Sequence, residues 1–280
     1  MQSIGAAIFA IVISCAGLAV NAQTTLVSND QELAQAIVDS VPGDTIELAA
    51  GNYGRLTIIG GTYNQVIVGN TKIYKKIPIL TSGVTIKSQD VNNRATIQYI
   101  DVRSSDYWQF DSLDIRPNAS GSAFIAVKLT GNNMTFNNST ISYGDNAGWT
   151  AQDWVNNAGR GVFVNSSDTV VYNNALKSVN MGIMVNHGAL NASVVNNTID
   201  GIAGDGGRAL GNYAVFEGNL FKNFRDVNGN HDDCIQSYSK ENGVIGAGSV
   251  DGVHIKSNMC IASEDINDPL YATPQGYAAF

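Results

Sequence analysis

The stretch TVVYNNALKSVNMGIMVNHGALNASVVNNTIDGIAGDGGRALGNYAVFEGNLF, residues 169–221, says one phrase three times: TVVYNN (169–174), SVVNN (193–197) and AVFEGN (214–219). The same phrase stands upstream as MTFNN (134–138) and downstream as VHIKSN (253–258). Its closing asparagines, at 138, 174, 197, 219 and 258, are spaced by 36, 23, 22 and 39 residues. A short constant period broken by insertions marks a solenoid whose units stack only on their neighbours. Each phrase is a short run of alternating apolar residues and has no 3.6-residue stripe, so the unit is β. The expected fold is all-β, a right-handed parallel β-helix with a long flat flank suited to an extended polymer.

After each phrase comes a second strand: RGVFVN (160–165), MGIMVN (181–186), DGGRAL (205–210) and DCIQSY (233–238). Aligned on their first positions, Val162, Ile183, Gly207 and Ile235 form one column, and Val164, Val185, Ala209 and Ser237 another. These should face the core. The alternate columns, Phe163, Met184, Arg208, Gln236 and then Asn165, Asn186, Leu210, Tyr238, should face out. Earlier strands are expected at 84–86, 95–97, 107–110, 113–115 and 123–129.

Upstream, Asn29 or Asp30 caps a helix that shows Leu33, Ala36 and Ile37 on its apolar side, ending at Pro42-Gly43-Asp44. Such a helix would plug the N-terminal end of the solenoid. Residues 1–22 lack charged side chains, residues 4–20 are apolar, and Val20-Asn21-Ala22 offers a small-residue cleavage site. This reads as a secretory signal peptide, leaving 23–280 as a single secreted or periplasmic domain. Lipidation at Cys15, after Val12-Ile13-Ser14, or a membrane anchor, are the alternatives. Only Cys234 and Cys260 would then remain. The register puts Cys260 inward, where Ile199 and Phe221 sit in earlier coils, and Cys234 on a different strand, so two free thiols are expected.

The net charge of −8 and the absence of a Lys/Arg cluster exclude a nucleic-acid partner. Charge instead concentrates at 204–239, which holds Asp205, Arg208, Glu217, Lys222, Arg225, Asp226, His231, Asp232, Asp233 and Tyr238. Asp205 and Asp233 open equivalent strands of adjacent coils. Two such carboxylates repel unless a proton, an arginine or a calcium ion neutralises them, so Asp205, Asp232 and Asp233 are candidate calcium ligands. They equally suit turns, where Asp bonds backbone N–H groups. His231 is a candidate base oriented by a neighbouring Asp. Arg208 can grip a substrate carboxylate, and Lys222 and Tyr238 are candidate proton carriers. Gln236, Arg225 and Asn186 are candidate substrate contacts. His187 and His254 read as structural or surface groups.

The segment PGDTIELAAGNYGRLTI (42–58) resembles the first coil of secreted polysaccharide-lyase β-helices, the alginate lyase and chondroitinase B group. That resemblance implies a lyase, or a related epimerase, acting on an acidic uronic-acid polymer such as alginate or pectate, with a monomeric chain and no membrane partner after signal cleavage. The run HDDCIQS (231–237) resembles the Asp-Asp-Cys motif of polygalacturonase-type hydrolases. It implies an alternative, an inverting hydrolase using Asp232 and Asp233 with Asp205 as the remaining acid. A non-catalytic glycan-binding or adhesin solenoid is the third reading.

Overall fold

The computed structural model describes residues 21–227, 229 and 232–271. The expected leader therefore lies outside the described residues as far as Val20, as does His231. Among the described residues no helix is long and apolar enough to cross a membrane.

The repeated phrases form one wall. Thr24–Val27, Thr45–Leu48, Val84–Ser88, Trp108–Asp111, Thr135–Asn137, Val170–Tyr172, Ser193–Val195, Val215–Glu217 and His254–Lys256 pair in that order, each parallel to the next. A second wall stacks Thr96–Ile97, Asp114–Ile115, Thr140–Ser142, the first half of Ala175–Val185, Thr198–Ile202, Leu220–Phe224 and Met259–Ile261. A third stacks Arg55–Ile59, Tyr99–Arg103, Ile125–Thr130, Gly159–Val164, the second half of Ala175–Val185, Gly207–Ala209 and Ile235–Gln236. The fold is a parallel β-helix. Inward residues stack rung on rung, as in Phe136, Val171, Val194 and Phe216, all fully buried.

The closing asparagines have a physical task. Asn174, Asn197 and Asn219 are buried, and each donates its side-chain amide to the Oδ1 of the next, ending on Asn258, at 2.9–3.0 Å. Each Oδ1 also accepts the backbone N–H of the residue above it, and each amide donates to a carbonyl of the first wall. The residue before each ladder position turns the corner with positive φ: Asn173, Asn196, Gly218 and Ser257. Asn138 belongs to that corner set, with φ of 52°, and Ser139 takes the ladder position above it. The first phrase is thus one residue out of step with the expected ladder.

Cys234 and Cys260 are joined in a disulfide with Cα atoms 6.1 Å apart, which corrects the expectation of two free thiols. Cys260 does point inward opposite Phe221, and Cys234 is buried on the third wall. Inward residues of two different walls meet across so narrow an interior, and this pair is close enough to bond.

Helix α1, Asp30–Asp39, is capped by Asn29, whose Oδ1 accepts from Glu32 N at 2.9 Å. It buries Leu33, Ala34, Ile37 and Val38 against the first strands and against an antiparallel pair, Gln65–Val68 and Thr71–Ile73, that extends the third wall. A second helix, α2, Ala151–Asn157, accounts for the long spacing before Asn174. Thr150 and Asp153 cap each other reciprocally at its start, and Trp154 is buried with Ala158 and Ala203.

Candidate functional site on the third wall

Strand alternation turns one column of the third wall outward. The pairings put Lys128, Phe163, Met184, Arg208 and Gln236 side by side in successive coils, each half-buried. The inward and outward columns read from the sequence in this region are those observed, except that outward-column Leu210 is buried. At the corner leading into these strands, Gly182 and Gly206 let neighbouring coils approach closely. A Cβ on Gly182 would strike the Gly206 carbonyl, and one on Gly206 would lie 2.7 Å from the Cys234 carbonyl.

The acids gather at that corner. Asp205 is 1% exposed, and both its oxygens are taken: Arg208 Nε donates to one at 2.5 Å and the Asp233 backbone N–H to the other at 3.2 Å. Asp233, also buried, accepts from Gln236 Nε2 at 2.8 Å. Asp232 differs. The residue is 5% exposed, and its carboxyl has no hydrogen-bond partner among the described residues. Burial, and then the charges of Asp226, Asp205 and Asp233, push its pKa up from 3.8 to about 7. At neutral pH it is divided between acid and base forms, as a proton carrier needs.

The Asp205 oxygens are already occupied, and no group of three or more His, Cys, Asp or Glu side chains among the described residues is disposed to hold a metal ion. The positive group at the site is Arg208. With Nε tied to Asp205, its two terminal nitrogens have no hydrogen bond among the described residues, and its side chain is 23% exposed. A fork held at its root, with free tips, can take a carboxylate by two parallel bonds.

On the opposite flank, Asn186 donates to Asn165 Oδ1 at 2.9 Å, and Tyr238 lies two coils along the same column. The Tyr238 ring packs edge-on against His187, centroids 5.4 Å apart. His187 Nε2 is buried with no hydrogen-bond partner among the described residues. Burial and then the nearby Lys240 charge lower the His187 pKa, against a pull from the Leu210 carbonyl. A neutral imidazole in this position is a residue the sequence reading set aside. Its one signal was its place directly after the outward Asn186.

Two other expected residues do not join this group. Lys222 faces out from the second wall, where Glu264 at 2.9 Å and Asp200 at 3.5 Å bind it and hold its pKa up, so it is no base. Arg225 pairs with Asp268 at 3.0 Å and lies over the Trp154 ring, bracing α2. Arg208, Gln236, Tyr238, Asn186 and the three aspartates share the third wall and its edges; His231 is outside the described residues.

No protein-family model matches this chain, and no curated protein sequence is similar to it. Its fold is similar to that of an alginate lyase from Paenibacillus sp. str. FPU-7, with a TM-score of 0.50 at 17% identity, over 85% of this chain and 76% of that one. A mannuronic acid specific polysaccharide family 6 lyase from human gut microbiota matches at a TM-score of 0.38 and 9% identity, over 86% of this chain and 66% of that one. The PL6 family alginate lyase AlyGC matches at 0.38 and 10%, over 83% and 40%. The structural neighbours are thus polysaccharide lyases, and at these identities the likeness is one of fold, the parallel β-helix.

Proposed function

We propose that this protein is an exported enzyme that cleaves an acidic, uronic-acid-containing polysaccharide by β-elimination. The observation that carries the reading is Arg208, rooted on Asp205 with no hydrogen bond at its terminal nitrogens among the described residues, in the same site as a buried carboxyl, Asp232, raised to about 7. Elimination starts with removal of the proton α to the uronate carboxylate. That leaves an enolate-like intermediate whose charge must be neutralised. Arg208 bidentate on the carboxylate supplies this. Asp232, in its ionised form, takes the proton. The electron pair then forms the new C=C bond as the glycosidic oxygen departs, and Tyr238 returns a proton to that oxygen. His231, adjacent to Asp232 in the chain, is proposed alongside Asp232 as a base. An epimerase would share the first step and return the proton to the opposite face. The disulfide supports the exported setting, because such bonds persist in oxidising compartments.

The hydrolase alternative draws support from a raised carboxyl beside a second acid, Asp233. It is weakened at Asp205, whose two engaged oxygens leave it no part in activating water. One assay separates the readings on a panel of alginate, pectate and neutral glycans. Elimination gives a conjugated double bond absorbing in the near ultraviolet, and hydrolysis gives new reducing ends without it. Arg208→Lys keeps a cation beside Asp205 but removes the fork, and we expect kcat/KM to fall at least about tenfold with the fold intact. Near-ultraviolet product formed at the wild-type rate by that variant rules out the proposed carboxylate grip.

A further inference from the structure

Leading away from the acids, the outward column of the third wall runs from Arg208 to Met184, Phe163 and Lys128, one coil at a time. Lys128 is half-buried and makes no hydrogen bond or ion pair among the described residues. Its neighbour on the next coil, Asp101, is buried and bound by Arg103 through both oxygens. By contrast Lys87, Lys177, Lys222 and Lys256, which also face out from coil strands, each have a carboxylate between 2.9 and 3.8 Å away. Lys72, Lys76 and Lys240 also lack a carboxylate partner among the described residues, but they are exposed, whereas Lys128 is half-buried in a chain with eight net negative charges.

We propose that Lys128 is a second carboxylate-binding subsite for an acidic polysaccharide lying along the solenoid axis. This rests on the β-elimination reading for the identity of the polymer. Three coils at ~4.8 Å put Lys128 about 14 Å from Arg208. One coil spacing is close to the advance of one sugar unit in an extended chain, so the two cations meet carboxylates on the order of three units apart. Between them, Phe163 and Met184 give a half-exposed apolar floor on which the C–H faces of the intervening rings can rest. A chain long enough to reach both cations binds by two linked contacts, and a shorter one by Arg208 alone, so affinity should step up with length.

The test uses the full-length protein and uronic-acid oligosaccharides from the disaccharide upward. Lys128→Gln should raise KM roughly tenfold for chains reaching both cations and leave kcat unchanged. The shortest substrates should be unaffected, and Lys128→Arg should restore the wild-type KM. Added salt should shrink the difference between wild type and Lys128→Gln. Lys72→Gln, on the antiparallel extension, serves as the control with unchanged KM. Equal KM for wild type and Lys128→Gln at every length overturns the subsite, as does a loss that is the same for short and long chains. Should the wild type cleave no uronan, the elimination reading fails on its own. The subsite is then decided by retardation in gels containing the polymer, where equal migration of wild type and Lys128→Gln overturns it.

Discussion

Replacing Asp232 by asparagine pits stability against turnover. The carboxyl is buried, lacks a hydrogen-bond partner among the described residues, and is raised from 3.8 to about 7 by burial and by Asp226, Asp205 and Asp233. Below about pH 3.8 the folded and unfolded chains both carry its proton, and the group leaves stability unchanged. Between about 3.8 and 7 only the folded chain carries it, so stability falls as pH rises. Above about 7 the loss is complete, and at 1.36 kcal/mol per pH unit it reaches about 4 kcal/mol at most. Asparagine has no proton to lose. The unfolding free energy of Asp232→Asn minus that of the wild type, measured by urea denaturation, should therefore grow by up to about 4 kcal/mol from acid to mildly alkaline pH. Turnover should fall at least about a hundredfold in the same variant, since a proton carrier is gone. A difference in stability that does not vary with pH refutes the raised carboxyl. Full turnover in the variant removes Asp232 from the reaction even if the stability difference varies as expected.

The ladder and the disulfide carry further expectations. Asn197→Ala removes two accepted and three donated hydrogen bonds at a site 1% exposed and leaves the buried Asn174 backbone N–H without its Oδ1 acceptor, so it should cost about 3–5 kcal/mol in a denaturation experiment. A loss under about 1 kcal/mol would show the ladder to be dispensable. Opening the Cys234–Cys260 bridge, which closes a loop with a sequence separation of 26, should cost about 3 kcal/mol on chain-entropy grounds, and denaturation of the Cys260→Ala variant measures it.

The sequence showed the walls and columns because strand alternation has a period of two and each coil repeats it, so Val162, Ile183 and Gly207 could be aligned without coordinates. The corner step at Asn138 escaped because two adjacent asparagines fit either of two registers, and only hydrogen bonding tells them apart. Helix α2 escaped although Thr150 and Asp153 carry its capping signal, because attention to period-two patterns hid a short helical insertion. At the site, the sequence brought Arg208, Gln236 and the aspartates together, since the register follows from the columns. It did not separate their tasks. Asp205 and Asp232 are both buried acids in one segment, and only the contacts show one of them bonded through both oxygens and the other without a hydrogen bond among the described residues. Lys222 falls outside the site because it lies on the second-wall strand one corner before Ile235–Gln236, and closeness in sequence is not closeness on one wall. The disulfide was missed for the converse reason: residues on different walls are distant along the coil but meet inside it.

The same solenoid treats buried polar groups in two opposite ways. Along the ladder every amide has its partners, so burial there adds rigidity at each rung. At the third-wall corner, four carboxyl groups crowd together and Asp232 is left to hold a proton, an arrangement that weakens the fold at neutral pH. The surrounding structure opposes that repulsion. Asp233 and Cys234 accept from the Gly206 and Gly207 backbone N–H groups at 2.8 and 2.9 Å, and the disulfide ties down the residue immediately after the acid pair. On the proposed elimination reading, the covalent tie next to the acid pair offsets the local cost of a site whose guanidinium tips make no hydrogen bond among the described residues.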